Sequence, residues 1–114
     1  MKRAARQPYS EITLYAGIFL KTHVVPDRGT LLPQHAHTWD HISYVVSGAV
    51  RVWCDDKLLG DFMAPAAVKI AAHAKHSFLT LTDRVTIACI HNADHADADG
   101  DPAIAGRHEL ELED

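Results

Sequence analysis

Residues 34–48 read QHAHTWDHISYVVSG, and a second histidine-bearing stretch, AAHAKHSF, follows at residues 71–78. His35, His37 and His41 have the spacing i, i+2 and i+6, so on an extended chain their side chains point to one face of a sheet. His76 opens a later predicted strand. Imidazole is the commonest protein metal ligand. The spacing therefore predicts a metal site that collects histidines from two strand regions, although incidental histidines are an alternative.

Alternation on the predicted strands adds candidate residues around the histidines. Phe78 and Thr80 share the face of His76, so both are predicted to line a pocket. His23 lies on an earlier predicted strand, where it could assist the ligands from beside them or could be an ordinary surface or hydrogen-bonded histidine.

Two larger side chains are further pocket candidates. Arg51 could bind the carboxylate of a substrate, or it could be a solvated strand residue. Trp39 lies in the predicted bend between the histidines, where it could close the mouth of the pocket or pack as a corner residue.

Short strand-like runs alternate with turn residues before residue 92, and none keeps a helical period. The predicted strands are Glu11–Tyr15, Ile18–Val25, Leu31–His35, His41–Ser47, Ala49–Cys54, Leu58–Phe62, Ala67–Ile70, His76–Leu81 and Val85–His91. Ser47-Gly48 and Asp55-Asp56-Lys57 are predicted to be tight hairpin turns. Many short strands with tight turns predict an all-β sandwich or small barrel.

Length and charge limit the organisation of the chain. Its 114 residues support one domain. We predict a flexible basic N-terminal segment at 1–9, a barrel at 10–91 and an acidic tail at 92–114. Residues 94–114 hold eight of the fifteen acidic residues. Glu109–Leu112 alternates acidic and apolar residues and could add an edge strand, whereas a disordered tail is the alternative.

Composition also excludes some classes of partner. No basic patch with interleaved aromatic residues is present, which argues against nucleic-acid binding. The apolar run Ile12–Leu20 is too short to span a membrane, so no membrane association is predicted. The two cysteines, Cys54 and Cys89, are predicted to be buried thiols in a reducing compartment, and the protein is predicted to be cytoplasmic.

The spacing Gly29-x5-His35-x-His37-x3-His41-x6-Gly48 resembles the first motif of the cupin superfamily, G-x5-H-x-H-x3,4-E-x6-G. His41 stands where that motif usually has glutamate. The chain therefore resembles a small, RmlC-like cupin of the four-histidine type.

The stretch Val68–Phe78 resembles a degenerate second cupin motif, in which His76 takes the position of the ligand histidine. Ala71 replaces the usual proline, His73 replaces a glycine, and Leu79 stands where asparagine would fall. The resemblance covers about residues 10–91. It implies a double-stranded β-helix barrel of the jelly-roll type, and it implies a homodimer. It also implies a metal inside the barrel, bound by His35, His37, His41 and His76.

Four neutral imidazoles favour a divalent transition metal (Fe, Ni, Zn, Mn or Cu) over Ca²⁺ or Mg²⁺, which prefer oxygen ligands. Their lack of charge leaves the cation uncompensated, so it attracts anionic oxygens. The predicted function is that of a metal-dependent enzyme acting on an anionic or enolisable small molecule, as a dioxygenase or as a Lewis-acid isomerase or hydrolase. A non-catalytic module that binds or senses a small molecule is the alternative. A third possibility is a structural metal in an interaction protein.

Overall fold

The structure is a computed structural model, and it describes residues 6–33, 40–92 and 105–110. These ranges contain ten strands, all paired antiparallel. The strands are β1 (Tyr9–Tyr15), β2 (Ile18–Val25), β3 (Leu31–Pro33), β4 (His41–Ser47), β5 (Ala49–Cys54), β6 (Lys57–Met63), β7 (Ala66–Ile70), β8 (His76–Thr80), β9 (Val85–Asn92) and β10 (Gly106–Glu109). The predicted all-β class is confirmed. Within these ranges no helix long and apolar enough to cross a membrane is found.

The strands form two sheets that face each other. Sheet A has the order β10-β1-β2-β9-β4-β7, and sheet B has the order β3-β8-β5-β6. Within the described ranges, β1–β2 and β5–β6 are the pairings between strands that are consecutive in the chain. Their turns contain Ala16-Gly17 and Asp55-Asp56, and all four residues have positive φ. Two successive residues with φ > 0 match the twist of a two-residue hairpin, so the predicted turn at Asp55 is a hairpin.

The predicted hairpin at Ser47-Gly48 is wrong. β4 belongs to sheet A and β5 to sheet B, so the chain here crosses from one sheet to the other. Gly48 has φ 76°, and a Cβ on it would lie 2.7 Å from both Thr82 Oγ1 and Val85 Cγ2. Glycine is therefore required at this crossing by backbone conformation and by space.

The substitution Gly48→Ala is expected to lower the free energy of unfolding by roughly 2–4 kcal/mol. It forces alanine into the left-handed backbone region, and it also places a Cβ too close to Thr82 and Val85. Gly29→Ala is the matched control: Gly29 has φ 80°, but a Cβ on it would meet nothing within 4 Å. Gly29→Ala should therefore lower the free energy of unfolding only by the cost of the left-handed backbone, about 1–2 kcal/mol. Urea unfolding of both variants measures the difference, and equal losses would show that the crossing is not tightly packed.

Apolar side chains fill the space between the sheets. On β4 and β8 every second side chain is buried, because alternate residues of a strand face the opposing sheet. The central cluster consists of Val25, Leu32, Val45, Val50, Val52, Val68, Ile70, Phe78, Val85, Ile87 and Cys89. The middle of the barrel is thus packed, which leaves its ends for a site.

Both ends of the described chain lie at sheet A. β10 (Gly106–Glu109) pairs with β1, and of the alternating residues 109–112 that could add an edge strand, 111 and 112 lie outside the described residues. Arg6, within the N-terminal segment predicted to be flexible, binds the Asp27 carboxylate through Nε at 2.9 Å and Nη2 at 2.7 Å. Residues 1–5 and most of the acidic tail lie outside the described residues, so the predicted character of both segments stays a prediction.

Candidate functional site

His41 and His76, which are 35 positions apart in the sequence, meet inside the barrel. They are the first residues of β4 and β8, which belong to opposite sheets. Both side chains are buried, and their ring centroids lie 5.1 Å apart with an interplanar angle of 51°. The Nδ1 atoms of both rings are also buried. The structure therefore brings together two of the four predicted metal ligands.

The other two predicted ligands, His35 and His37, lie outside the described residues, as does Trp39. Their predicted roles stay predictions. In the ranges 6–33, 40–92 and 105–110, no group of three or more His, Cys, Asp or Glu side chains is placed to hold a metal ion. The described part of the site is thus a pair of imidazoles.

Two backbone contacts position the loop that leads into His76. The carboxylate of Asp40 accepts a hydrogen bond from Ala72 N at 2.7 Å, and that of Asp55 accepts one from Lys75 N at 3.0 Å. Between them, His73 has φ 66° at the position where the cupin motif has glycine. Histidine is among the residues that enter this left-handed region most readily. The loop is therefore clamped on both sides immediately before β8 begins.

The pocket candidates on β8 differ in what they do. Phe78 is fully buried, and its ring meets the His76 ring edge-on at 5.6 Å. Thr80 also faces inward, but four residues of strand separate it from His76 by about 13 Å. Its hydroxyl accepts a hydrogen bond from Thr30 N and donates one to Asp27 O. Thr80 thus anchors the β2–β3 loop instead of lining the pocket beside the histidines.

His23 is a buried, neutral imidazole beside this pair. Ser10 Oγ lies 2.7 Å from its Nδ1. The pKa of His23 is lowered to about 3, chiefly by burial and in smaller part by the charges of Lys21 and His76. His23 is thus a buried, hydrogen-bonded histidine, and its role beside the metal ligands stays a prediction.

The prediction that Arg51 lines the pocket is wrong. Its neighbours Val50 and Val52 are fully buried in the barrel, so Arg51 points to the outer face of sheet B. There its guanidinium donates to both carboxylate oxygens of Asp61, at 2.7 and 3.0 Å. These hydrogen bonds raise the pKa of Arg51 and lower the pKa of Asp61. The pair therefore lies on the exposed strand surface, and Arg51 is not placed to bind a ligand inside the barrel.

Lys21 and Ser43 are interior polar groups that were not predicted, whereas Cys89 is buried as predicted and Cys54 is only partly buried. Ser43 Oγ lies 3.5 Å from Cys89 Sγ, and the chain's two cysteines, both within the described ranges, form no disulfide. Lys21 shares the inward face of β2 with His23. Alternation on the predicted strand around His23 places Lys21 on the same face, so the sequence carries this signal.

No protein-family model matches the sequence, and a search of curated proteins finds no match either. Solved structures do resemble the fold. A cupin superfamily protein from Desulfitobacterium hafniense has a TM-score of 0.64 and 14% identity over 81% of this chain and 83% of that one. An RmlC-like cupin with a double-stranded β-helix from Methanocaldococcus jannaschii has a TM-score of 0.64 and 15% identity, over 81% and 85%. KdgF from Halomonas sp. has a TM-score of 0.63 and 19% identity, over 78% and 82%.

These similarities confirm the predicted double-stranded β-helix of the cupin fold. At identities below 20% they concern the fold alone. The chemistry of the site has to be argued from the residues of this chain.

Proposed function

We propose that the barrel binds a divalent transition metal and uses it on an anionic or enolisable small molecule. His41 and His76 would hold the metal, together with His35 and His37 as the remaining predicted ligands. The observation that carries this proposal is the meeting of two buried imidazoles from opposite sheets, 5.1 Å apart.

The spacing of the two rings supports a shared ion. A metal bound to imidazole nitrogen at about 2.1 Å lies about 3.2 Å from the ring centre, so two ligands at 90–110° have ring centres roughly 4.5–5.2 Å apart. The 5.1 Å separation of His41 and His76 falls in that range. A histidine pair with this separation can serve as adjacent ligands without a large movement of either strand.

The chemistry of the interior supports the kind of metal. Among the described residues, the buried polar side chains include no carboxylate: they are Ser10, His23, His41, Ser43, His76 and Thr80. Neutral nitrogen donors suit Fe, Ni, Zn or Cu, and Mn to a lesser degree, better than Ca²⁺ or Mg²⁺. When bound, such a metal supplies Lewis-acid or oxygen chemistry, which corresponds to an isomerase or hydrolase in the first case and a dioxygenase in the second.

A cavity of about 490 Å³ borders His41 towards the outer face of sheet A. It is lined by Asp40, His41, Ile42, Lys69, Ile70, Ala71 and Ile90, of which Ile42, Lys69 and Ile90 are exposed. Its volume falls in the range of about 300–1,000 Å³ that is usual for small-ligand sites. Neither His76 nor Lys21 lines this cavity, so it lies beside His41 and not between the two imidazoles.

A non-catalytic binding or sensing module is the second candidate function. It is favoured because none of the buried side chains among the described residues is a carboxylate that could act as a general base. In this case the metal would orient a ligand without converting it.

Elemental analysis of protein purified from metal-supplemented cells tests the proposal. About one transition metal per chain is expected, and a protein that holds none would overturn the proposed site. Oxygen uptake and product formation are then followed with diketones, catechols and keto acids. Turnover identifies an enzyme, whereas a ligand-induced rise in melting temperature without turnover identifies a binding module.

We also propose a homodimer. Apolar side chains on the outer face of sheet A are exposed, including Ile42, Tyr44 and Val46 on β4 and Ile90 on β9. A second copy of the chain could cover them, since contiguous exposed apolar patches often mark interfaces. Light scattering on the purified protein is expected to give a mass of two chains. The proposed compartment remains the cytoplasm, where cysteines stay reduced.

A further inference from the structure

Lys21 lies on the inward face of sheet A, where a cation is unusual. On β2, Phe19, His23 and Val25 are buried on one face, and Lys21 is half-buried between Phe19 and His23. In the sheet register Lys21 lies opposite Ile12 of β1 and Cys89 of β9, and both are buried. Its side chain therefore enters surroundings made of apolar and neutral polar groups.

The described residues provide no counter-charge for this lysine. The ion pairs found among them join Arg6 to Asp27 and Arg51 to Asp61, and Lys21 takes part in neither. The positive charge of Lys21 acts on the buried imidazole of His23, because it contributes to the low pKa of that residue. An ammonium group without an ion-pair partner, in half-buried and largely apolar surroundings, favours an anion that enters there.

The sheet register puts Lys21 within reach of the histidine pair. Lys21 lies opposite Cys89, which lies opposite Ser43, and His41 is two residues from Ser43 on the same face. Two strand spacings give about 10 Å, and two residues along β4 give about 7 Å. These distances separate the backbone positions of Lys21 and His41. The long lysine side chain and the imidazole extend into the space between them and leave room for about the length of a small organic molecule.

We propose that Lys21 binds the carboxylate of the small-molecule ligand, while a second oxygen of the same molecule faces the metal at His41 and His76. This inference rests on the proposed function and names its substrate class: small acids with a keto, enol or phenol oxygen near the carboxylate.

A carboxylate fits this position better than a phosphate. Lys21 is the cation of the described inward face, whereas sites for phosphate generally combine several donors, such as arginine or helix N-termini. The remaining described lysines, Lys57, Lys69 and Lys75, are exposed. A single half-buried ammonium group matches a single negative charge.

Calorimetry with the purified, metal-analysed protein tests the proposal. The probes are pyruvate, acetoacetate and salicylate, each compared with its methyl ester, and inorganic phosphate. At least one acid is expected to bind at least 10-fold more tightly than its ester and than phosphate. Acids that bind no better than their esters would overturn the proposal. Equal or tighter binding of phosphate would overturn the assignment to carboxylates.

Variants identify the residue responsible. Lys21→Met is expected to weaken binding of the acid roughly 10–100-fold, which is the effect of removing a charged hydrogen bond, and Lys21→Arg less. Lys57→Met, which removes an exposed charge at the β5–β6 turn, should leave binding unchanged. Unchanged binding in Lys21→Met would show that the lysine head extends into solvent along its apolar stem, and would overturn the inference.

The two proposals fail separately. Metal content is measured in each variant and is expected to be the same in Lys21→Met as in the unaltered protein. A protein without metal that still binds acids through Lys21 would overturn the metal site alone. If the protein contains metal and Lys21→Met binds the acids as tightly as the unaltered protein, the present inference alone is overturned.

Discussion

Replacing His76 with alanine is expected to abolish binding of the proposed metal, with a loss in affinity of more than about 100-fold. Changes to groups that merely orient a ligand already cost about 10–100-fold, and removal of a ligand should exceed that. His76 also faces His41 at 5.1 Å, so the substitution removes one half of the observed pair. Metal content after dialysis and a competitive chelator titration measure the effect.

Two controls separate loss of a ligand from loss of the fold. Phe78→Leu alters the next inward residue of the same strand, and it should lower stability while leaving metal content near the unaltered value. His73→Asn removes an exposed histidine of the preceding loop, and asparagine also accepts its positive φ of 66°. If His76→Ala keeps its metal and Phe78→Leu does not, His76 is a packing residue and the proposed ligand set is wrong.

Acid is expected to weaken the fold through His23. Its pKa falls from the ordinary value of 6.5 to about 3 in the folded protein, chiefly because the ring is buried. Between these values the unfolded chain binds a proton that the folded chain does not. The contribution of His23 to stability is therefore complete above about pH 6.5 and is lost as the pH falls towards about 3. Between about pH 7 and pH 5 the loss should be about 2 kcal/mol.

The variant His23→Gln tests this dependence, because glutamine does not titrate. Its absolute stability is expected to be lower, since the contact with Ser10 changes, but its free energy of unfolding should fall less steeply between pH 7 and pH 5. The difference in slope isolates His23 from the other groups nearby, which include Lys21 and His76. His73→Asn should keep the steep slope. Parallel pH profiles for His23→Gln and the unaltered protein would contradict the assignment.

Alternation explains which parts of the site could be predicted. Because strand residues face opposite sides with a period of two, the inward positions of His41, His76 and Phe78 followed from their strands alone. The same rule applied to Arg51 required knowing which face of β5 is inward. Val50 and Val52, on either side of Arg51, are the buried residues, so the inward face of β5 is theirs and Arg51 faces outward.

The choice of strand partners could not be predicted in the same way. A glycine between two strands indicates a reversal in both a hairpin and a crossing, so Gly48 alone did not distinguish them. Pairing of β4 with β9 depends on contacts between segments far apart in the sequence. Alternation places Lys21 on the face of His23, but its position opposite Cys89 follows only from the sheet register.

The order of the strands also bears on how the protein reaches its folded state. The local hairpins β1–β2 and β5–β6 can form within microseconds, but β4 must wait for β9, which is made about 40 residues later. Proteins dominated by such distant pairings fold in milliseconds to seconds. His41 and His76 belong to different sheets, so their imidazoles meet only when the slow closure of the two sheets is complete. A metal ion in the medium would therefore find its ligands late in folding and would bind a structure that is already largely assembled.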